Sequence, residues 1–238
     1  MAPRRSSKTS TPAAPSTEPA PAAPADKKEL VKGKLAMTRD PRIWARKLPL
    51  TLPDHKRIVG LDLASSCGIS FCDILPGQPI TEAPIIGGQW NLGVGQHDTN
   101  SLRYVRLKSF LQLTNPSLIF YEEVKFVGQN PTPGMKQNLT ALVARAVTGA
   151  QVVHGLSAIL VTWAEQHGIP CEAVPIGVLK KYATGRGNAN KVDIITAANT
   201  RFGTEFNAEG YEQTGVDNIA DSMFLCAMGV ETYAEGLK

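Results

Sequence analysis

The sequence predicts an α/β protein built on a mixed β-sheet with helices packed against it. Three apolar segments of strand length follow one another at residues 57–64, 65–75 and 85–93. Turn-forming residues separate them, as is typical of antiparallel neighbours. Beyond residue 100, helical patterns alternate with short apolar strands. Strands followed by alternating helices and strands indicate a mixed sheet flanked by helices.

The first three segments form the antiparallel part of this prediction. "RIVGLDLA" is a short apolar run with one acid inside it, which predicts a buried strand. "SSCGISFCDIL" predicts its antiparallel partner, with Ser65, Ser66 and Gly68 in the turn. "IIGGQWNLG" is the third predicted strand.

The remaining elements are predicted mainly by apolar periodicity. Residues 100–114 have helical spacing, with Asn100 or Ser101 as the N-cap. "NPSLIFYEEV" predicts a buried strand that ends in two glutamates. A helical stretch at 136–167 should break or pack closely near Gly149 and Gly155. Further on, we expect a strand in "IPCEAVPI" and helices at 177–184, 190–201 and 217–234.

Residues 1–56 differ from the rest and are predicted to be an Ala/Pro-rich basic extension, disordered or partly ordered. Up to residue 57 there are 13 Lys or Arg against 5 Asp or Glu, whereas the remainder has 12 against 16. The basic character therefore belongs to the extension, for which we hypothesise electrostatic tethering to DNA. One domain is predicted over residues 57–238.

Several classes of protein are disfavoured by composition. The four cysteines form no CxxC pair and the histidines do not cluster with them, so neither a zinc site nor a disulfide framework is indicated. No apolar run is long enough for a membrane span, and no signal-peptide segment is present. We therefore expect a cytoplasmic protein without a membrane partner. Organellar targeting by the extension stays open, although its prolines oppose an amphipathic helix.

Four acids stand in apolar surroundings, where a carboxylate is costly unless something pairs with it. Asp62 lies in the first strand, Glu122 ends a later strand, and Asp217 and Asp221 lie one turn apart on the last helix. Residues four apart on a helix share a face, so the four carboxylates can converge. Converging carboxylates repel unless a hard cation neutralises them, and oxygen ligands suit Mg²⁺ or Mn²⁺. Two such ions can promote phosphodiester hydrolysis.

Each acid taken alone has a structural alternative. Asp62 could be a hydrogen-bonded strand residue, Asp217 an N-cap or a favourable charge at a helix N-terminus, and Asp221 half of an ion pair. The order of strand acid, strand acid and helix Asp-x-x-x-Asp is what favours the metal site.

A second stretch, "VPIGVLKKYATGRGNANK" at residues 174–191, combines a strand end, a lysine-bearing helix and a glycine-rich turn. Backbone amides of such a turn hold phosphate, and basic side chains contact a nucleic-acid backbone. The alternative is a capped helix with solvated lysines, which the residues alone favour equally. The basic residues concerned are Lys180, Lys181, Arg186 and Lys191.

Taken together, the motifs resemble a RuvC-type Holliday junction resolvase of the retroviral-integrase/RNase H superfamily, a family that includes phage-type members. The resemblance is carried by "GLDLASSCGIS", "IFYEEV", "VPIGVLKKYATGRGNANK" and "VDNIADS", in the family's order, over residues 57 to 235. It implies an RNase H-like fold and a homodimer that nicks two strands of a four-way DNA junction. It also implies Mg²⁺, two ions per site with Mn²⁺ as a substitute, and no small-molecule cofactor.

The resemblance also implies roles for individual residues. Asp62, Glu122, Asp217 and Asp221 would hold the metal ions, and Lys191 would stabilise charge near the scissile phosphate. The other basic residues of the second stretch would contact the junction backbone, and Phe126 would be a wedge between bases. In bacterial members the last two acids are three residues apart, so Asn218 competes with Asp217 for the fourth position, for which carboxylate chemistry favours Asp217.

The sequence thus predicts a metal-dependent endonuclease that resolves four-way junctions. One alternative is an RNase H-like or general branched-DNA nuclease. A second is a non-catalytic DNA-binding or scaffolding protein on the same fold, for which the retained acids are unfavourable. Close helix packing within 136–167 is a hypothetical dimer interface, and an intrachain contact there is an equal alternative.

Overall fold

The computed structural model describes residues 55–77, 79–80, 83–124 and 139–236, with the backbone alone for 139–148. Within them the chain forms a five-stranded sheet. The strands are β1 (Lys56–Asp62), β2 (Ser66–Ile74), β3 (Ile85–Asn91), β4 (Leu118–Glu122) and β5 (Cys171–Val174).

Helices connect and cover these strands. The first, α1 (Leu102–Thr114), joins β3 to β4, and α2 (Leu139–Gln166) precedes β5. The rest follow β5: α3 (Ile176–Thr184), α4 (Lys191–Phe202), the single-turn α5 (Tyr211–Thr214) and α6 (Val216–Glu235). Glycines with positive φ end α3 and α4 and separate α5 from α6.

The strand order is β3-β2-β1-β4-β5, with β1 at the centre. β1 pairs antiparallel with β2, which pairs antiparallel with β3. On its other edge β1 pairs parallel with β4, and β4 pairs parallel with β5. The predicted fold class, a mixed sheet flanked by helices, is therefore confirmed.

Alternating side chains send the two faces of the sheet into different cores. On one face Val59, Leu61 and Ile119 pack with buried residues of α1 and α2, including Phe110 and Leu160. On the opposite face, strand residues pack with buried residues of α3, α4 and α6: Phe120, Val174, Leu179, Ile194, Ala220 and Phe224. The helix α6 therefore lies against the sheet on the face away from α1 and α2.

Two local predictions need correction, and a third holds in part. Ser66 and Gly68 belong to β2, so the turn is shorter than predicted. Ser101 is the N-cap residue of α1 but makes no capping hydrogen bond from its side chain, because its backbone is already helical there. The helix α2 runs unbroken through both of its glycines, so the predicted break is not found. The predicted close packing is found at Gly155, which the Tyr104 ring approaches closely.

Two further points concern the residues outside the described ranges and the character of the helices. The predicted extension lies almost wholly outside the described residues, which begin at His55, and Phe126 also lies outside them. Among the helices that are described, none combines the length and the apolar character needed to cross a membrane.

Candidate metal centre and basic helix pair

Two of the predicted site residues lie at the ends of adjacent strands. Asp62 is the last residue of β1, and Glu122 is the last residue of β4. The two strands are parallel and in register, with Leu61 opposite Tyr121. The carboxyl ends of parallel neighbours meet at one edge of a sheet, so the two acids lie side by side.

Strand alternation places both acids on the face that α6 covers. Two residues before Asp62, Gly60 lies directly under the backbone of Ser222 and Cys226 in α6. Two residues before Glu122, Phe120 belongs to the core that α6 shares with α3 and α4. Side chains two apart on a strand point the same way, which directs Asp62 and Glu122 towards α6.

The helix α6 brings Asp221 to this edge of the sheet. The hydroxyl of Ser70 in β2 donates a hydrogen bond to the carbonyl of Ser222, and this bond joins the helix to the sheet next to Asp221. Asp221 is only 1% exposed. One ligand oxygen from each of Asp62, Glu122 and Asp221 lies within 4.8 Å of the other two.

The proximity of these carboxylates changes their acidity. Burial, followed by the charges of Glu122 and Asp221, holds the pKa of Asp62 well above its usual range. Burial and the charge of Asp221 raise the pKa of Glu122 to about 7, against the opposing effect of two lysines. Burial also raises the pKa of Asp221. The site therefore resists full ionisation and attracts positive charge.

Lys191 supplies part of that charge. It is the first residue of α4, and its Nζ lies 2.5 Å from Asp221 Oδ2 and 3.4 Å from Asp217 Oδ2. Burial lowers the pKa of Lys191, but the charge of Asp221 and its hydrogen bond to the ammonium outweigh this effect and raise it. The lysine is thus a firmly protonated partner of the two helix acids.

Asp217 and Asn218 have different surroundings. Asp217 contributes charge to the site through its pairing with Lys191, although it is not one of the three converging acids. The Asn218 amide instead donates a hydrogen bond of 2.8 Å to the carbonyl of Ser66 at the start of β2. Asn218 therefore attaches the helix to the sheet, and Asp217 is the residue that faces the acid cluster.

The other predicted basic residues differ in their distance from the acids. Lys180 in α3 is near enough to the cluster that its charge opposes the rise in pKa of Glu122 and of Asp221. Lys181, its neighbour in the chain, is exposed. The Arg186 guanidinium lies 3.2 Å from Asp193 Oδ2 and is also largely exposed. Lys180 and Lys191 thus lie at the acids, whereas the other two lie outside the cluster.

One feature of the site had a sequence signal that our interpretation missed. The Asn190 side chain accepts from the backbone N–H of Asp193, and the Asp193 carboxylate accepts from the backbone N–H of Asn190. This reciprocal pair is a capping box, and the three-residue separation of its two members can be read from "NKVD". It determines where α4 begins and hence where Lys191 lies.

The chain was compared with known proteins. No protein-family model and no curated protein sequence matches it. Among solved structures, that of Thermus thermophilus RuvC is similar, with 16% identity, a TM-score of 0.46, and coverage of 73% of this chain and 97% of that one. The structure of T. thermophilus RuvC in complex with a Holliday junction substrate has 17% identity and a TM-score of 0.49, with coverage of 74% and 98%. These structures belong to the family that the sequence motifs resemble.

Proposed function

We propose that this protein is a metal-dependent, structure-selective endonuclease that resolves four-way DNA junctions by phosphodiester hydrolysis. The observation that carries the proposal is the meeting of Asp62, Glu122 and Asp221, from two strands and a helix, with ligand oxygens within 4.8 Å of one another. Such an arrangement is unfavourable in a purely structural site, because like charges in a buried place repel.

An unsatisfied oxygen indicates what the arrangement lacks. Asp221 Oδ1 is buried and has no hydrogen-bond partner among the residues that the structure describes, while its other oxygen binds Lys191. Leaving a buried carboxylate oxygen without a partner costs free energy that a cation could recover. An all-carboxylate donor set fits hard divalent ions, which makes Mg²⁺ or Mn²⁺ the appropriate occupant.

Asp62, Glu122 and Asp221 would hold the first ion, and Asp217 would help to hold a second. When bound, divalent ions supply charge neutralisation for a phosphodiester and lower the pKa of the attacking water. The chain's own contribution is to fix the three carboxylates on rigid elements, so that none of these three side chains must be reorganised before the reaction.

Basic residues beside the acids support a nucleic-acid substrate. Lys180 and Lys191 adjoin the acid cluster, and exposed Lys181 and Arg186 lie farther along the same helix–turn–helix segment. Phosphate contacts of this kind position a backbone without reading its sequence. The choice of a four-way junction as the substrate, and of a homodimer with two symmetric sites, rests on the motif resemblance.

The test is cleavage of labelled four-way junctions, Y-forks and RNA–DNA hybrids by the full chain, with Mg²⁺ and with chelator. We expect junctions to be cut preferentially, and only with the cation. Equal or better cleavage of hybrids would favour the RNase H-like alternative. Junction binding without cleavage under every cation condition would favour the non-catalytic alternative.

The dimer needs an experiment of its own. Mixed dimers that carry one inactive subunit should nick one strand and fail to resolve the junction, because each site acts on one strand. Full paired cleavage by such mixed dimers would contradict symmetric action by two sites.

A further inference from the structure

We propose that the ammonium group of Lys191 acts as an internal counter-ion of the metal-free site and must leave Asp217 and Asp221 before a second divalent cation can bind. This inference rests on the proposed function, because it assumes that the acid cluster is a metal site. It assigns Lys191 a role in metal loading that is separate from any contact with phosphate.

The geometry makes the ammonium and a cation direct competitors. Lys191 Nζ binds Asp221 Oδ2 at 2.5 Å and lies 3.4 Å from Asp217 Oδ2. These are the carboxylates of α6 that a second ion would need. An oxygen that accepts a short charge-assisted hydrogen bond cannot at the same time use that lone pair for a metal.

The fold places the lysine there at the expense of local helix preference. The N-terminal end of a helix carries a partial positive charge, so a lysine at its first residue is unfavourable. Yet the capping box formed by Asn190 and Asp193 starts α4 at Lys191. The salt bridge of Arg186 to Asp193 joins the preceding turn to the same cap. The facing carboxylates, and not the helix, account for a lysine at this position.

The Lys191 side chain is also exposed enough to move away from the two aspartates. Its side chain is 34% exposed, whereas Asp221 is 1% exposed. The carboxylate is therefore held in place by the core, while the ammonium has a path to solvent. Taking the ammonium from a buried carboxylate is costly unless another positive charge replaces it, and an entering divalent cation supplies that charge beside the same oxygens.

Lys180 provides a built-in comparison. Its charge opposes the pKa rise of Glu122 and Asp221 as that of Lys191 does, but it acts through charge alone, without the hydrogen bond that Lys191 makes. Neutralising Lys180 therefore measures the effect of removing a nearby positive charge. Any additional effect of neutralising Lys191 measures the release of the blocked oxygens.

The test uses the full chain and three variants, Lys191→Met, Lys180→Met and Asp62→Asn, with binding of Mn²⁺ and Mg²⁺ measured by calorimetry in the absence of DNA. We expect Lys191→Met to bind the cation about fivefold more tightly than wild type. Lys180→Met should improve binding by less, and Asp62→Asn should weaken it. The melting temperature should rise more on adding Mn²⁺ in Lys191→Met than in wild type, since tighter binding stabilises the folded state more.

Two results would separate the failure of this inference from failure of the proposed function. Wild-type protein that binds cations and cuts junctions, with Lys191→Met binding no more tightly than Lys180→Met, overturns the counter-ion role alone. Wild-type protein that neither binds divalent cations nor cuts junctions overturns both.

Discussion

The two ends of strand β1 differ in how their charged side chains are paired. At its start, Arg57 is 1% exposed and makes two hydrogen bonds of 2.7 Å to the carboxylate of Asp73, its cross-strand partner in β2. The same guanidinium reaches the carbonyl of Thr114 at the end of α1 and lies over the Phe71 ring. At the other end of the strand, Asp62 meets two further carboxylates, and Lys191 and Lys180 oppose the charge of this cluster.

The difference separates a structural use of charge from a functional one. The bidentate pair of Arg57 and Asp73 neutralises both of its charges, and its hydrogen bonds join β1, β2 and α1. A group of acids with raised pKa and an unsatisfied oxygen is incomplete without a ligand. Substitutions at the two ends should therefore have opposite consequences for stability and for activity.

The largest effect is expected at the end of β1 that carries the acid cluster, and it concerns junction cleavage. Asp62→Asn should lower junction cleavage on the order of 10³-fold, because an amide is a poor replacement for a carboxylate that holds a divalent ion. Junction binding should remain, and the metal-free protein should be no less stable, since one repelling charge is gone. Single-turnover cleavage, junction binding and urea unfolding measure these quantities. Cleavage near the wild-type rate would mean that the acid cluster is not the active site.

At the end of β1 that carries the Arg57–Asp73 pair, substitution should instead lower stability. Arg57→Met should destabilise the protein by about 3 kcal/mol, because the partly buried Asp73 would lose its bidentate partner and keep only His55, whose Nε2 lies 3.5 Å from Asp73 Oδ1. The double variant Arg57→Met/Asp73→Leu should lie within about 1 kcal/mol of wild type, since a buried pair replaced by apolar groups is nearly neutral. Urea unfolding without metal compares them. A single variant no less stable than the double one would contradict the assignment of a structural pair.

A pH effect of intermediate size should come from Glu122. Its pKa is about 7 in the folded protein and 4.5 in its ordinary state, so the folded chain binds more protons in that interval. Stability of the metal-free protein should therefore fall as pH rises from about 4.5 to 7, by an amount on the order of 3 kcal/mol. Glu122→Gln should flatten this part of the profile. An unchanged profile in that variant would show that another group is responsible.

The smallest expected effect distinguishes the two neighbours at the start of α6. Asn218→Ala should cost about 1 kcal/mol of stability, because it removes the hydrogen bond to Ser66, and should leave cation affinity almost unchanged. Asp217→Asn should weaken cation binding with little effect on folding. Calorimetric titration with Mn²⁺ compares the two variants. The opposite pattern would make Asn218 the ligand position.

The sequence is informative about the site wherever a polar residue conflicts with its local pattern. Asp62 and Glu122 end apolar strands, and parallel pairing then places them together without further information. The spacing of Asp217 and Asp221 shows that they share a helix face, which the structure also has. These features depend on local periodicity and on general rules of sheet geometry.

Pairings between distant segments were not predictable in the same way. Lys191 and Asp221 are 30 residues apart, and nothing local distinguishes Lys191 from the nearby lysines of α3. The pairing of Arg57 with Asp73 follows only from the register of β1 and β2. Arg186, predicted to contact DNA, forms a salt bridge with Asp193. Asp193 is placed there by the capping box of α4, and the sequence interpretation had not recognised that box.

The glycines beneath α6 determine the separation between this helix and the sheet. A methyl group at Gly60 would overlap the backbone of Ser222 and Cys226, and one at Gly68 would overlap the backbone of Asn218. Metal–oxygen distances tolerate errors of only about 0.2 Å. Adding a single carbon atom at either glycine would lift Asp221 away from Asp62 by more than that tolerance. The dimensions of the acid cluster are therefore set by two residues that contribute no side chain to it.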